Sequence, residues 1–527
     1  VFALVVVVAL VAAVVVGTIL GKRYRVGPPV LLILFGGLLG LIPRFGDIRL
    51  DGDIVLLLFL PPILYWESLN TSFREIRANL RIIVLSSVLL VIATAVTVSL
   101  TARALGMESH AASVLGAVLS PTDAAAVAGL AKRLPRRALT VLRAESIIND
   151  GTALVLFAVT VSVAAGGPEI SPPAVVGRFV GSYAGGIAAG LLVGAVVTLL
   201  RRRLDAPQEE GALSVLTPFA AFLLAQTIHS SGVVAVLVAA LVLAYVGPRV
   251  IGARSRLEAN GFWDLATFLV NGCLWVFVGV QIPGAIRGVS TVDGGLGHAA
   301  LLAVAIIGVV VATRFAWNEI TTMLIRALDR RAIQRTRRVG WRQRTVSSWA
   351  GFRGAVSLAA ALAVPATTHN GSPFPDRSLI IFVTSFVILV TVLVQGSTLP
   401  AVVRWARLPD DTAHAEELQL ARSRSAQAAL DALPTVAARL GVDQQLLNRL
   451  QKEYREHAAF AEAGAGTSDA AERNDLLRRV RLGVLEHKRR AVTDLRDQDR
   501  IDDIVLREVQ SAMDLEEARL LGPVDTG

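Results

Sequence analysis

Leu119-Ser120-Pro121-Thr122-Asp123-Ala124-Ala125 (LSPTDAA) interrupts a long apolar run at 110–130. Pro121 has no N–H to give a helix, and its ring crowds the preceding turn. In a membrane span the carbonyls it frees must be satisfied by neighbouring groups or by a cavity. Pro-kinked spans without function are common; Pro followed at once by Thr122 and Asp123 is much less so. A broken helix with an acid beside the break is how transporters build cation sites near the bilayer midplane. A second interruption is read at Gly351-Phe352-Arg353-Gly354-Ala355, where two glycines flank a buried cation. It falls in the twelfth apolar span and the Pro motif in the fifth. With the seventh span as a linker, these are corresponding members of two halves, spans 1–6 and 8–13. The expected fold is therefore two inverted repeats with two crossed broken helices. The half-helix ends would set opposing dipoles at the midplane, which Asp123 and Arg353 can compensate.

The chain around these breaks is 527 residues long, 54% hydrophobic and only 18% charged, with a mean hydropathy of +0.59. A soluble protein of this length carries more charge. A span needs roughly 20 mostly apolar residues. About 13 candidates are read, at 1–21, 27–43, 54–69, 82–102, 110–130, 139–165, 175–200, 212–229, 232–247, 262–283, 298–325, 346–366 and 378–405. The fold class is an all-α polytopic membrane protein. Val1–Leu20 lacks a basic leader and a cleavage site and reads as a span rather than a signal peptide. Alternate loops hold Lys22, Arg23 and Arg25; Arg74, Arg77 and Arg81; Lys132 to Arg137; Arg201–Arg203; Arg249, Arg254 and Arg256; and the run from Arg326 to Arg344. The other loops hold few basic residues. The positive-inside rule puts the basic loops in the cytosol, the N-terminus outside and the C-terminus inside. The net charge of +10 is accounted for in this way, and no nucleic-acid partner is expected.

Ionisable residues inside a span cost at least about 2.5–3.5 kcal/mol on insertion scales, so each is a functional candidate. Those in mid-span are Glu67, Asp123, Glu145, Asp150, Arg314 and Arg353; Asp264, Arg178 and Glu319 lie nearer the ends. The stretch Glu145-Ser146-Ile147-Ile148-Asn149-Asp150 carries two of them. Ser146 and Asp150 are four apart and share a helix face. Glu145 and Asp150 point about 140° apart and cannot serve one small ion. One acid can face a cavity while the other is neutralised by a buried base; alternatively, both are paired with arginines. Arg314 needs a carboxylate, and Glu145 is the choice. Glu67 sits at the inner end of its span, either near the site or as a snorkelling interfacial acid.

After Leu408 the composition becomes polar and helix-periodic, with segments at 412–432, 434–460, 468–497 and 499–520 and a hinge at 464–468. The domains are a transmembrane unit, 1–408, and a helical cytosolic tail, 409–527. The tail is either a solvated appendage or a regulatory element whose ligand or partner the sequence does not name. The lone Cys273 forms no disulfide framework. His110, His229, His298 and His369 show no metal-ligand spacing, and there is no phosphate loop. An enzyme and a resident cofactor are not expected.

Five motifs together resemble one family: SPTDAAAV at 120–127, ESIINDGTALVLF at 145–157, HSSGVVAVLVAAL at 229–241, FLVNGCLWVFVGVQI at 268–282 and GFRGAVSLAAAL at 351–362. They resemble the sodium/proton exchanger branch of the monovalent cation:proton antiporters. The match covers about 1–408, with the motifs in order. The resemblance implies that Asp150 binds the cation and the proton alternately. It implies that Asp123, Ser146 and Thr122 complete the Na⁺ site beside Asn149, with Glu67 near it. It further implies a bracing pair of Glu145 with Arg314, with Arg353 on the second broken helix as the other possible partner. Pro121, Gly351 and Gly354 are carried over as parts of the broken-helix motifs. It implies a homodimer in membrane lipid, and the Arg-rich, Lys-poor, Ala/Val-rich usage suggests a bacterial plasma membrane as its place. The pair here is Asn149-Asp150, and the resemblance implies electroneutral exchange of one Na⁺ for one H⁺, with K⁺ or Li⁺ as other possible cargo. A cation channel and a non-transporting sensor are the readings from other classes.

Overall fold

A computed structural model describes all residues except 1, 25–26, 47–54, 124–135, 168–171, 205, 290–294, 329–339, 409–411, 464–467, 499, 501–502 and 522–527. The chain divides into two units, Val1–Pro409 and Asp410–Gly527.

Apart from turns, the non-helical breaks described below and an isolated bridge between Thr367 and Pro373, the described residues of the first unit are helical. Its helices are α1 (Phe2–Tyr24), α2 (Pro28–Gly40), α3 (Leu60–Leu69), α4 (Phe73–Val84), α5 (Leu90–Ala104), α6 (Ser109–Leu119), α7 (Arg136–Ala164) and α8 (Pro172–Arg201). They continue as α9 (Pro207–Thr227), α10 (Gly232–Val250), α11 (Ala253–Val289), α12 (Gly295–Leu328), α13 (Trp341–Trp349), α14 (Ala355–Leu362), α15 (Arg377–Val390) and α16 (Ser397–Ala406). Among the described residues, eight helical stretches are long and apolar enough to cross a bilayer unaided. Many carry exposed leucines and valines, such as Leu191, Leu199 and Leu301. Apolar side chains facing outward along whole helices are what lipid requires and what water penalises.

The remaining apolar segments are shorter helices or helix pairs, so length alone does not give the count of about thirteen. The fifth segment ends as a helix at Leu119, and Ser120–Asp123 is non-helical. The second half of that span falls in 124–135, outside the described residues. The twelfth segment is two half-helices, α13 and α14, separated by the non-helical stretch 350–354. Segments at 212–229 and 232–247 are separate helices, α9 and α10. The turn between them carries His229 at φ 53, and the Ser231 hydroxyl accepts from the Val234 amide as N-cap. The Ser-Ser-Gly turn is thus long enough to reverse the chain.

Among the described residues, three single π-helical turns occur, at Val55–Phe59, Leu85–Leu89 and Thr391–Gly396. Such turns release a carbonyl from the regular ladder and often sit by functional sites. The first leads into α3 and contributes Phe59 to the wall of the ion-sized cavity at the helix crossing. The third holds Thr391, whose hydroxyl accepts from the Arg353 amide at 3.5 Å.

The described residues of the second unit form four helices: α17 (Thr412–Leu440), α18 (Gln444–Ala463), α19 (Ser468–Asp497) and α20 (Asp503–Leu521). One boundary differs from the sequence reading. Pro434 is expected to open a helix, yet α17 runs through it to Leu440. The chain turns instead at Gly441, φ 67, and restarts where the Asp443 carboxylate accepts from the Leu446 amide. A left-handed glycine followed by an N-cap aspartate is the stronger stop signal. Of the expected hinge at 464–468, residues 464–467 lie outside the described residues, and Ser468 opens α19. α19 and α20 are joined by Lys488 to Glu516 at 3.2 Å and by Arg489 to both Asp514 and Glu517.

Candidate functional site

The two breaks meet. The Asp123 amide donates to the Phe352 carbonyl at 2.9 Å, so the non-helical stretches cross backbone to backbone. Each of the three described half-helix ends there faces a side chain of opposite charge. α6 ends with its carbonyls pointing into the crossing, and Arg353 Nε donates to the Leu119 carbonyl at 3.0 Å. The same guanidinium donates through Nη1 to the Gly351 carbonyl at 2.7 Å, beside the end of α13. Arg353 is 1% exposed; its charge rests on the negative ends of two half-helices. The Asp123 carboxylate lies against Gly354, at the start of α14, where the dipole is positive. A Cβ on Gly354 would overlap that carboxylate, so the approach needs glycine. Gly354→Ala is expected to displace Asp123 or the α14 start, at about 1–3 kcal/mol of stability. Thermal unfolding and exchange assays should both register it, with exchange the more sensitive.

Asn149, on α7, ties this crossing to the acid-bearing helix. Its Nδ2 donates to the Thr122 hydroxyl at 2.9 Å and, at 3.4 Å, to the Thr122 carbonyl. The next residue, Asp150, turns into a cavity. That cavity offers ≈ 40 Å³ to water-sized occupants. A single water needs about 10–15 Å³ on this measure, so there is room for an ion with a water or two. Its polar lining is Glu67, Thr122, Asp123, Ser146, Asp150, Asn271 and Ser357, with Pro121 and Gly354 at the crossing. Three carboxyl groups thus share one small space, while Asp150 is 6% exposed and Ser146 5%. Among the described residues no cation pairs with Asp150, and the charges that act on it are the carboxylates Asp123 and Glu67.

Glu145 faces elsewhere. Its Oε1 lies 2.7 Å from Arg314 Nη1, with both side chains under a tenth exposed. Arg314 Nε also donates to the Ser347 carbonyl at 3.2 Å, tying α12 to α13. Gly351 lies against the same guanidinium. Arg353 therefore serves the half-helix ends, and Arg314 serves Glu145. Glu67 is half-buried in the cavity wall on α3 rather than snorkelling to solvent. Of the acids and bases nearer the span ends, Arg178 is exposed, and Glu319 holds Arg344 through two contacts of 2.9 Å.

Two cavity residues escape a search based on charge. Asn271 and Ser357 are neutral, and each sits within an otherwise apolar motif, FLVNGCL and GFRGAVSL. The Ser357 hydroxyl is buried without a hydrogen-bond partner among the described residues. A polar residue isolated in an apolar motif is the available signal. Tyr183 on α8 escapes the search too, although it lies outside the cavity lining. Its hydroxyl lies 2.8 Å from the Thr152 hydroxyl and donates to the Ile148 carbonyl at 3.2 Å, both residues being two positions from Asp150.

The family model for the transmembrane sodium/hydrogen exchanger matches residues 9–405. The chain belongs to the sodium/hydrogen exchanger family. It is 74% identical over 528 residues to an uncharacterized Na⁺/H⁺ exchanger of Mycobacterium tuberculosis, covering 100% of this chain and 97% of that one. It is 31% identical over 399 residues to the Na⁺/H⁺ antiporter ApNhaP of Aphanothece halophytica, covering 74% of this chain and 72% of that one. The fold is similar to that of the sodium proton antiporter MjNhaP1 of Methanocaldococcus jannaschii, at a TM-score of 0.58 and 18% identity. The likeness covers 77% of this chain and 99% of that one. Family and fold make this a multi-pass cation/proton exchanger.

Proposed function

We propose that this exchanger carries one Na⁺ against one H⁺ without net charge movement, with the two competing for Asp150. The observation that carries the reading is the cavity at the helix crossing, where three carboxyls meet and none of the described residues supplies a cation to Asp150. Three negative charges in so small a space need neutralising, by a proton or by a metal ion. The surrounding ligands are carboxylate and hydroxyl oxygens, which suit a hard monovalent cation. Asp150, Asp123, Ser146 and Thr122 would hold Na⁺, with Glu67 adding charge from α3. Asn149 is committed to Thr122 and adds no second titrating group. One carboxyl that is either protonated or sodium-loaded moves no net charge per cycle. Na⁺ rather than K⁺ is the preferred cargo, in keeping with the names of the two relatives given above.

In this reading the crossing and its partners α5–α7 and α12–α16 move against a dimeric scaffold, so that the loaded cavity faces each side in turn. The basic loops face the cytosol of a bacterial cell, with the N-terminus outside. The unit 410–527 would lie in the cytosol, where a regulatory role is open to it.

Direct competition sets the pH dependence. As pH falls through the range where Asp150 takes its proton, the apparent KM for Na⁺ rises by about tenfold per pH unit, while the maximal rate at saturating Na⁺ holds. Sodium-driven proton release from proteoliposomes, run across pH with a potassium and valinomycin clamp, checks both claims. A rate that follows the clamped voltage overturns electroneutrality. A KM that ignores pH overturns the shared site.

A further inference from the structure

A second cavity of ≈ 670 Å³ opens on the side of the basic loops, between the α3–α4 turn and the end of α10. Its polar lining is Asn70, Thr71, Ser72, Arg74, Arg77 and Tyr245. It is more than ten times the volume of the ion cavity, too large for a bare cation and lined with the wrong charge for one. Among the described residues no carboxylate lines it, and the twelve-residue α4 begins at its wall, with its positive dipole end there. Arg74 and Arg77 project from the first turns of α4, and both are exposed. The far side of α4 is fixed in the protein by Ile76, Asn79 and Ile83. Past these two arginines, Leu80 is 50% and Val84 44% exposed on α4, with the exposed Arg81 between them. Cationic groups at one level and an exposed apolar surface at the next match a molecule that is anionic at one end and hydrocarbon beyond.

We propose that this pocket binds the phosphate headgroup of an anionic phospholipid from the leaflet on the basic-loop side. Arg74 and Arg77 would engage the phosphate, as arginines suit such groups geometrically. Tyr245, 68% exposed near the end of α10, suits the headgroup level, where tyrosines gather. The acyl chains would lie along Leu80 and Val84. Arginines on this side of a membrane protein are ordinary; the pocket they frame, joined to an apolar track, is not. The pocket also touches the exchange machinery. The Thr71 hydroxyl donates to the Glu67 carbonyl at 2.6 Å, and Glu67 lines the ion cavity from the same helix. A headgroup seated between α4 and α10 would therefore act on the wall of the ion site. This coupling rests on the exchange reading proposed for Asp150; the lipid site itself does not.

The test separates the two. The full chain is purified from vesicles of phosphatidylcholine doped with phosphatidylglycerol, and the lipid retained is measured by native mass spectrometry, a readout that needs no transport. Wild type is expected to retain phosphatidylglycerol over phosphatidylcholine. R74Q/R77Q is expected to lose that preference by roughly thirtyfold, at roughly fivefold for each basic side chain near an anionic surface. R202Q/R203Q, which removes two exposed arginines from another basic loop, is expected to keep it. Equal loss in both double variants would mean diffuse attraction and overturn the site, as would equal retention in wild type and R74Q/R77Q. If R74Q/R77Q fails to fold, R74K/R77K, which keeps the charge and loses the planar fork, should show a smaller loss; no loss there together with none in Y245A overturns it. Displacement of the retained lipid by soluble glycerol phosphate would assign the pocket to a free phosphate ester and overturn the lipid assignment. In doped vesicles, wild-type exchange should differ from that in pure phosphatidylcholine, and R74Q/R77Q exchange should not. Lipid retention without that difference removes the coupling and leaves Asp150 exchange untouched.

Discussion

Asp150→Asn is expected to leave a folded protein whose sodium-driven proton flux falls to that of protein-free vesicles. Asparagine keeps the shape of the side chain and its place in the cavity wall, but it carries no charge and takes no proton at any working pH. The cavity then holds only Asp123 and Glu67 as acids, and neither follows Asn149 on α7. Stability should hold or rise, because a buried carboxyl that none of the described residues neutralises has been replaced by a neutral amide. Flux and unfolding temperature in detergent, measured side by side, give the contrast. Sodium-dependent proton release that persists in this variant would move the competition to Asp123 or Glu67. Flux that persists and follows voltage would recommend a channel.

The second large effect is on folding. Arg314→Ala should destabilise the first unit by about 3–5 kcal/mol, since it leaves Glu145 buried and unpaired while breaking the bond to Ser347. Glu145→Gln should cost less, because a neutral amide can still accept from the guanidinium. The double variant E145L/R314M should recover much of the loss, as well-packed apolar replacements of buried ion pairs commonly do. Unfolding of the three variants by heat in detergent orders them. If R314A matches wild type, the pair does not brace the membrane unit. If the double variant is as unstable as R314A, packing rather than charge is what Arg314 supplies.

The sequence exposes the breaks far better than it exposes their surroundings. Pro121 and the glycines at 351 and 354 announce themselves locally, because each contradicts the helical pattern around it. The apolar segments are equally plain, since a bilayer demands length and greasiness that no other environment asks for. A mid-span arginine demands an anion, but local sequence does not say which of Arg314 and Arg353 reaches Glu145. That depends on how α12 lies against α7, about 170 residues away along the chain. Asn271 and Ser357 are invisible to a search for charge, because neutral polar residues are cheap enough in a span to need no function. In the tail, Pro434 looks like a boundary and is not one; a proline can be absorbed in a helix where a left-handed glycine at 441 cannot.

The crossing carries its own countercharge. Arg353 sits on the negative ends of two half-helices and Asp123 against the positive end of a third. A unit so compensated contributes no gating charge of its own when it moves through the field of the membrane, where one uncompensated charge would cost about 2.3 kcal/mol per 100 mV. A voltage step applied to protein in a planar bilayer, with neither sodium nor a pH gradient present, should therefore draw a displacement current only from Asp150 and Glu67. Replacing Arg353 by a neutral residue would unmask the rest.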